Sequence, residues 1–220
     1  MDNPWLSLPK TAPFVLDCDK RDIVSFNAKA KSEYKVHLEV LPEPFTGNPK
    51  ANIVLLNLNP GFYDRNETFF QDASYDYFVK TNRANLNHEP QAFPFYHLDP
   101  NNVRSPGYYW WSRKLRQLVE RYGTQKIAQE VSNLEYFPYV SPHFGCNKFI
   151  LESQKYTFYL LEEALKRETI VILMRGKVLW EQAVPGLRGY PYFTLNSAQS
   201  ASISEKNCPA GYAQIVKRLG

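Results

Sequence analysis

Short apolar runs bounded by turn residues are the clearest pattern in the chain. Residues 53–58 form one such run, which ends at the turn Asn59-Pro60-Gly61. A continuous apolar run of this length is typical of a strand buried on both faces of a sheet. The same pattern predicts further strands over residues 130–136, 169–174 and 192–195.

Helical patterns lie between these runs. Residues 109–122 carry apolar side chains at the spacing of an amphipathic helix, which Gly123 ends. Further helices are predicted over residues 148–167, 177–184 and about 205–218. Alternating strands and helices favour a parallel sheet with helices on both faces. We therefore expect an α/β fold with three layers, α/β/α, around a central, mainly parallel four-stranded sheet.

The remaining segments suggest one domain with an added N-terminal piece. We expect residues 1–220 to form a single domain, on which residues 1–48 pack as an N-terminal extension. Residues 41–52 are rich in Pro and Gly, so they predict a loop. Residues 62–108 predict long loops with one short helix, and long irregular segments in compact domains are often functional.

Three places along the chain qualify as the site under this fold. In parallel sheets the ligand lies at the carboxyl ends of the strands. That rule selects the turn at residues 59–61, the segment after Asn133 and the loop that starts at Asn196. The chemistry of the protein is therefore expected to cluster there.

Composition adds an abundance of aromatic residues. The chain has 15 Tyr, 14 Phe and 4 Trp, whose rings can build a core or stack on bases. Its 26 Lys and Arg against 22 Asp and Glu give a net charge of +4. This mild excess permits contact with nucleic acid without requiring it.

Cysteine and histidine usage argues against disulfides and metals. The three cysteines, Cys18, Cys146 and Cys208, form no CxxC pair, so neither a disulfide framework nor an iron–sulfur cluster is expected. The histidines do not fall at metal-ligand spacings, so we expect no metal and no other cofactor. With no signal-peptide pattern and no apolar run of about 18 residues, the sequence predicts a cytoplasmic protein without membrane contact.

An ordered series of motifs resembles the uracil-DNA-glycosylase superfamily. The strand ending in Asn59-Pro60-Gly61 is similar to the first motif of its mismatch-specific branch, and residues 92–97 are similar to that branch's Phe-Pro-Phe segment. Tyr109-Trp110-Trp111 and Ser132-Asn133-Leu134 stand where that branch has an aromatic helix start and a strand Asn. A third strand leading to a helix, and a fourth leading to a Ser-containing loop, complete an order that covers roughly residues 50–218.

Two departures separate this chain from the family pattern. The family's last motif usually contains His-Pro-Ser, whereas this chain has Asn196-Ser197-Ala198. The segment between Gly61 and Phe93 is also longer than the mismatch branch would predict. The missing His places the chemical step in doubt more than the fold.

The resemblance implies roles for residues near the strand ends. Asn59 would hold the attacking water through its amide carbonyl, and Gly61 would let the backbone approach the ligand. Phe95 would stack on a base turned out of the helix, with Phe62 as a rival for that role. Asn133 would bind the Watson–Crick edge of the base, and Glu135 beside it could shape the pocket.

The same resemblance implies roles for the last loop. Asn196 would donate a hydrogen bond to the departing base in place of the family's His. The hydroxyls of Ser197, Ser200 and Ser202 would bind the DNA backbone. Each of these residues also has a purely structural alternative, as a turn, core or surface-loop residue.

The functional hypotheses therefore fall into three classes. The first is a DNA glycosylase that hydrolyses the N-glycosidic bond of uracil or a related damaged or mismatched base. The second is a catalytically inactive protein that retains the fold and a nucleic-acid- or nucleotide-binding pocket. The third is an unrelated α/β domain that binds a small molecule, in which case Asn59, Asn133 and Asn196 need not share a pocket.

Overall fold

A computed structural model describes residues 1–62, 68–145 and 149–220. Within these residues, five strands form one sheet in the order β1-β3-β2-β4-β5. The strands are β1 (Phe45–Gly47), β2 (Ile53–Asn57), β3 (Val131–Glu135), β4 (Ile170–Leu173) and β5 (Phe193–Thr194). Strands β3, β2, β4 and β5 run parallel, whereas β1 pairs with β3 in the antiparallel sense. The predicted α/β class with a mainly parallel sheet is confirmed.

The predicted number of four strands is wrong, because the described sheet also contains β1. This strand has only three residues and lies in the segment 41–52, which we predicted as a loop. Its register pairs Phe45 with Leu134 and Gly47 with Ser132. Gly47 has a φ of 106°, and a Cβ there would lie 2.5 Å from the carbonyl oxygen of Val131. A side chain would therefore prevent this close approach.

Eight α-helices are present in the described part of the chain. They are α1 (Asp17–Asn27), α2 (Tyr75–Leu86), α3 (Pro106–Lys114), α4 (Arg116–Tyr122), α5 (Thr124–Glu130), α6 (Gln154–Lys166), α7 (Lys177–Ala183) and α8 (Pro209–Leu219). Short 3-10 turns cover Pro4–Ser7, Ser32–Tyr34, Tyr96–Leu98, Pro100–Asn102 and Pro185–Gly189.

The helix predictions hold for the three segments nearest the C-terminus. Helices α6, α7 and α8 lie at the predicted segments, although Lys148, at the start of the first, is outside the described residues. The single helix predicted over residues 109–122 is in fact α3 and α4, which break at the fully buried Leu115. The predicted short helix in residues 62–108 is α2, which has 12 residues, and α5 was not predicted.

Helices cover both faces of the sheet. In β2, Val54 and Leu56 contact a core shared with α1, α6 and α7, whereas Ile53 and Leu55 contact a second core shared with α3, α4, α5 and α8. Successive side chains of a strand point to opposite faces, so both sets are buried. This accounts for the unbroken apolar run that predicted the strand.

Helix α3 starts at the edge of the sheet where the strands end. Pro106 occupies its first turn, and the hydroxyl of Ser105 accepts a hydrogen bond from the backbone N–H of Tyr108 at 3.1 Å. Both features favour a helix start, because proline needs no hydrogen-bond partner there and the serine satisfies an exposed N–H. The start of α3 is thereby fixed beside the carboxyl ends of β2 and β3.

The N-terminal segment is held by a buried carboxylate. Asp19 of α1 accepts hydrogen bonds from the Tyr139 hydroxyl at 2.8 Å and from the Ser153 backbone N–H at 3.2 Å. The Tyr139 oxygen in turn accepts from the backbone N–H of Leu16 at 3.2 Å, and its ring meets Trp5 edge-on. Residues 1–48 thus contribute to the core and, through β1, to the sheet.

None of the helices within the described ranges has the length and apolar character that a membrane crossing requires.

Replacing Tyr139 by Phe should lower the free energy of unfolding by about 1–3 kcal/mol, because the change removes a donor to a buried carboxylate. Urea denaturation measures this loss. Tyr34→Phe, at a more exposed tyrosine, should change stability by less than about 0.5 kcal/mol. Equal effects of the two substitutions would show that the Asp19 contact does not hold the N-terminal segment.

Candidate functional site at the carboxyl ends of the strands

A cavity of about 130 Å³ opens where β2, β3 and β4 end. The strand ends supply one wall, the start of α3 a second, and the segment before β1 a third. Its lining residues with polar side chains are Glu43, Thr46, Asn57, Asn59, His97, Asn133, Glu135 and Arg175. Sheets of this type bind ligands at this edge, so the cavity is the candidate site.

A chain of buried side chains crosses the floor of the cavity. The amide nitrogen of Asn57 donates to the side-chain oxygen of Asn133 at 2.7 Å. The amide nitrogen of Asn133 donates to Oε1 of Glu135 at 2.8 Å. Both ends of the Asn133 amide are therefore used within the protein. Asn133 lines the cavity, and its side chain is held between Asn57 and Glu135.

Glu135 carries the most unusual group of the site. Its Oε2 is buried and has no hydrogen-bond partner in residues 1–62, 68–145 and 149–220. Burial raises the pKa of this carboxyl from 4.5 to about 8, the Asn133 hydrogen bond and Arg175 lower it in part, and nearby Glu43 raises it further. The protonated acid therefore predominates at neutral pH, so Oε2 can donate a hydrogen bond.

A second carboxylate is fixed by two neighbours. Oε2 of Glu43 accepts hydrogen bonds from the Tyr96 hydroxyl at 2.8 Å and from His97 Nε2 at 2.5 Å. The His97 ring lies against Gly107 of α3, where a Cβ would come within 2.2 Å of Nδ1. Glycine at this position thus allows α3 to pack directly on the histidine.

Asn59 lines the cavity, and its side-chain amide nitrogen is held by hydrogen bonds. Its amide nitrogen donates to the backbone oxygen and the hydroxyl of Ser141, at 3.1 and 3.0 Å, and to the Pro60 oxygen at 3.0 Å. No described residue donates to its carbonyl oxygen. The Ser141 contacts fix the side chain, so this oxygen can accept a hydrogen bond from water. Gly61, which also lines the cavity, pairs with Ser141 through the backbone.

Aromatic rings form a further wall of the cavity, the aromatic wall. These rings belong to Phe69, Phe70, Phe78, Trp110 and Trp111. Phe69 and Phe78 meet edge-on at 5.5 Å between centroids, and Trp110 and Trp111 do so at 4.5 Å. Rings of this kind can hold a flat heterocycle by stacking.

The two predicted stacking residues are both displaced from this wall. Phe95 is completely buried in the second core and packs edge-on against Trp111 at 4.9 Å, so no face of its ring is open to a ligand. Phe62 stacks on His37 at 3.7 Å, and neither residue lines the cavity. Neither Phe95 nor Phe62 therefore lies at the cavity, where the prediction needs a stacking ring, and the rings that line it are those of the aromatic wall.

The predicted last-motif residues also lie away from the cavity. Asn196 is exposed, and its amide donates to the Lys206 carbonyl at 3.0 Å. The Ser197 hydroxyl accepts from the Ser200 backbone N–H at 3.4 Å, and the hydroxyls of Ser202 and Ser204 are 3.5 Å apart. The loop closes on itself, so the prediction that Asn196 acts on a departing base is corrected. Binding of the DNA backbone by the three serines stays a prediction.

Basic side chains stand between this loop and the cavity. Lys114 of α3 donates to the Ser200 carbonyl oxygen and lies over the Trp110 ring at 5.1 Å. Burial lowers its pKa, and the charges of Arg113 and Arg175 lower it further. Arg175 itself is exposed and lines the cavity.

The described residues contain no group of three or more His, Cys, Asp or Glu side chains arranged to hold a metal ion. Cys18 and Cys208 are free thiols, and Cys146 lies outside the described residues.

Comparison of the chain with protein-family models, with curated proteins and with solved structures gives no significant match. The function therefore has to be argued from the cavity itself.

Replacing Glu135 by Gln should remove a pH dependence of stability. The folded-state pKa of about 8 lies above the ordinary 4.5, so the stabilisation is present below pH 4.5 and is lost as the pH rises through 8. Between pH 5 and pH 9 the variant should gain about 2–4 kcal/mol of unfolding free energy relative to the unmodified protein.

Urea denaturation across this pH range measures the difference. Glu130→Gln is the matched control. Glu130 lies directly before the first residue of β3, at the end of the strand away from the cavity, and its carboxylate accepts a hydrogen bond from the Asn52 side chain. If the free energy of unfolding changes with pH in the same way for Glu135→Gln and the unmodified protein, Glu135 is not a buried neutral acid.

Proposed function

We propose that the protein hydrolyses the N-glycosidic bond of uracil or a related damaged or mismatched base in DNA, with the base held in this cavity. The observation that carries the proposal is Asn59. Its carbonyl oxygen accepts no hydrogen bond from the described residues, while Ser141 fixes its nitrogen at the carboxyl end of β2. A fixed acceptor at a cavity mouth suits the orientation of a water molecule.

The reaction needs few groups from the protein. The oxygen of water forms a bond to the sugar carbon C1′ while the bond from C1′ to the base nitrogen breaks. The electron pair of that bond leaves with the base, and the proton that water gives up passes through solvent to the departing base nitrogen, so that the products are the abasic sugar and the neutral base. An amide cannot remove this proton, so Asn59 acts by orientation, and acceleration also requires stabilisation of the departing base.

Other features of the cavity fit a base and its strand. The rings of the aromatic wall line the cavity and suit stacking on a base. Arg175 and Lys114 supply positive charge beside the mouth, where phosphates of a bound strand would pass.

The second candidate is a binding protein that retains the pocket without the chemistry. It is favoured by the position of Asn196, whose side chain bonds the surface loop and leaves the site without the polarising group that the family resemblance implies. Both candidates predict binding of DNA, so only hydrolysis of the glycosidic bond distinguishes them.

The direct test uses labelled single- and double-stranded oligonucleotides that carry uracil, hypoxanthine or a mismatch. Abasic sites are converted to strand breaks with alkali after incubation. Asn59→Ala should reduce the rate of break formation by about 100-fold or more, because the water loses its fixed position. Asn196→Ala is the matched control and should leave the rate within about twofold.

Three outcomes separate the hypotheses. Breaks that depend on Asn59 support hydrolysis at this cavity. Binding of DNA without breaks on any substrate supports the inactive binding protein and contradicts the enzyme. Absence of both breaks and binding contradicts both and favours a domain for free small molecules.

A further inference from the structure

Glu135 is a buried acid that the reaction described above does not explain. Its Oε1 is fixed by Asn133, which is itself fixed by Asn57, so the carboxyl group has one orientation. Its Oε2 is buried and has no hydrogen-bond partner among the described residues, and Glu135 is one of the residues that line the cavity. Buried polar atoms in native proteins nearly always have partners, so an unpartnered oxygen of a cavity-lining residue is satisfied by water or by a ligand.

The surroundings also hold this acid neutral. The other titratable or charged side chains on the cavity wall are Glu43, His97 and Arg175. Glu43 is already bound by Tyr96 and His97, and Arg175 makes no ion pair with Glu135. With no cation in direct contact in the described part of the protein, ionisation of Glu135 would leave a buried and uncompensated charge.

We infer that Glu135 is the residue that selects the ring, acting as a neutral carboxylic acid that binds a heterocycle with a hydrogen-bond acceptor next to a donor. This inference deepens the proposed function and rests on the same cavity. The chemical class it names is the oxo-substituted base with a ring N–H beside a carbonyl oxygen, of which uracil, thymine and hypoxanthine are examples.

The hydrogen-bond arithmetic is compatible with this class, although an amino-substituted base such as cytosine also places an acceptor beside a donor. Oε2–H is one donor, and Oε1 keeps one lone pair after it accepts from Asn133. A carbonyl oxygen can accept from Oε2 while the neighbouring ring N–H donates to Oε1. A ring edge with two donors, or a cationic ring, requires an ionised carboxylate and is disfavoured here. Glutamine keeps one donor and one acceptor, so Glu135→Gln should retain binding.

Binding of free nucleosides tests this without any need for catalysis. Ligand-observed NMR is used to titrate the full chain with 2′-deoxyuridine between pH 6 and pH 9. Affinity of the unmodified protein should fall about tenfold per pH unit above pH 8, in excess of the loss due to ionisation of the nucleoside. The Glu135→Gln variant should show only the nucleoside's own pH dependence.

Two further variants complete the design. Glu135→Ala should lose binding at least tenfold at pH 6, since it removes both hydrogen bonds. Glu130→Gln, the matched change before the opposite end of β3, should bind like the unmodified protein at every pH. If a Glu135 variant does not fold, the test uses the unmodified protein and Glu130→Gln. The affinity of both for the nucleoside should fall above pH 8 by more than ionisation of the nucleoside alone explains.

Several results would overturn the inference: no binding of 2′-deoxyuridine at any pH, affinity that rises with pH, or a pH profile that Glu135→Gln leaves unchanged. The outcome for the proposed function is separate. Glu135-dependent binding of the nucleoside together with no strand breaks in the oligonucleotide assay would uphold this inference and contradict the hydrolase.

Discussion

The hydrogen-bonded chain from Asn57 through Asn133 to Glu135 is the interaction on which the site depends. Each of these residues lies on one of two neighbouring parallel strands, and their pairing places Leu55 beside Asn133 and Asn57 beside Glu135. The amides fix one oxygen of a carboxyl group that is buried. A buried acid of this kind is costly when ionised, so the protein holds it in the neutral form, with Oε2 as a hydrogen-bond donor.

The rest of the fold holds this chain in place. Strand β2 is central and buried on both faces, and the Trp180 indole N–H donates to the Asn57 carbonyl oxygen at 2.8 Å from α7. On the other side, β1 brings Glu43 and Thr46 to the cavity, although they precede Glu135 by about ninety residues. Helix α3 contributes Gly107 and Trp110, whose positions follow from the helix start at Ser105 and Pro106. The site is thus assembled from widely separated parts of the sequence, between Val40 and Arg175.

The sequence predicts those parts of this arrangement that depend on local patterns. The run at residues 53–58 identifies β2 because a strand covered on both faces is apolar throughout, and the strand-end rule brings Asn59, Gly61 and Asn133 to one cavity. The sequence could not show that Phe95 belongs to the core and not to the aromatic wall, because core and pocket-lining aromatic residues have the same local sequence pattern. Strand β1 is too short for a periodic signal, so neither Glu43 nor its bond to His97 could be anticipated. The sequence did indicate Glu135 as a site residue, because it lies two residues after Asn133 and therefore on the same face of β3.

The central claim is that the cavity at the ends of β2, β3 and β4 holds a flat heterocycle against Glu135. A crystal structure of the protein soaked with 2′-deoxyuridine tests it most directly. The account predicts the ring between the aromatic wall and the strand ends, with a carbonyl oxygen of the base about 2.5–3.0 Å from Glu135 Oε2 and the adjacent ring nitrogen within hydrogen-bond distance of Oε1. A nucleoside bound elsewhere, for example at the serine loop, with the cavity left to solvent, would contradict it.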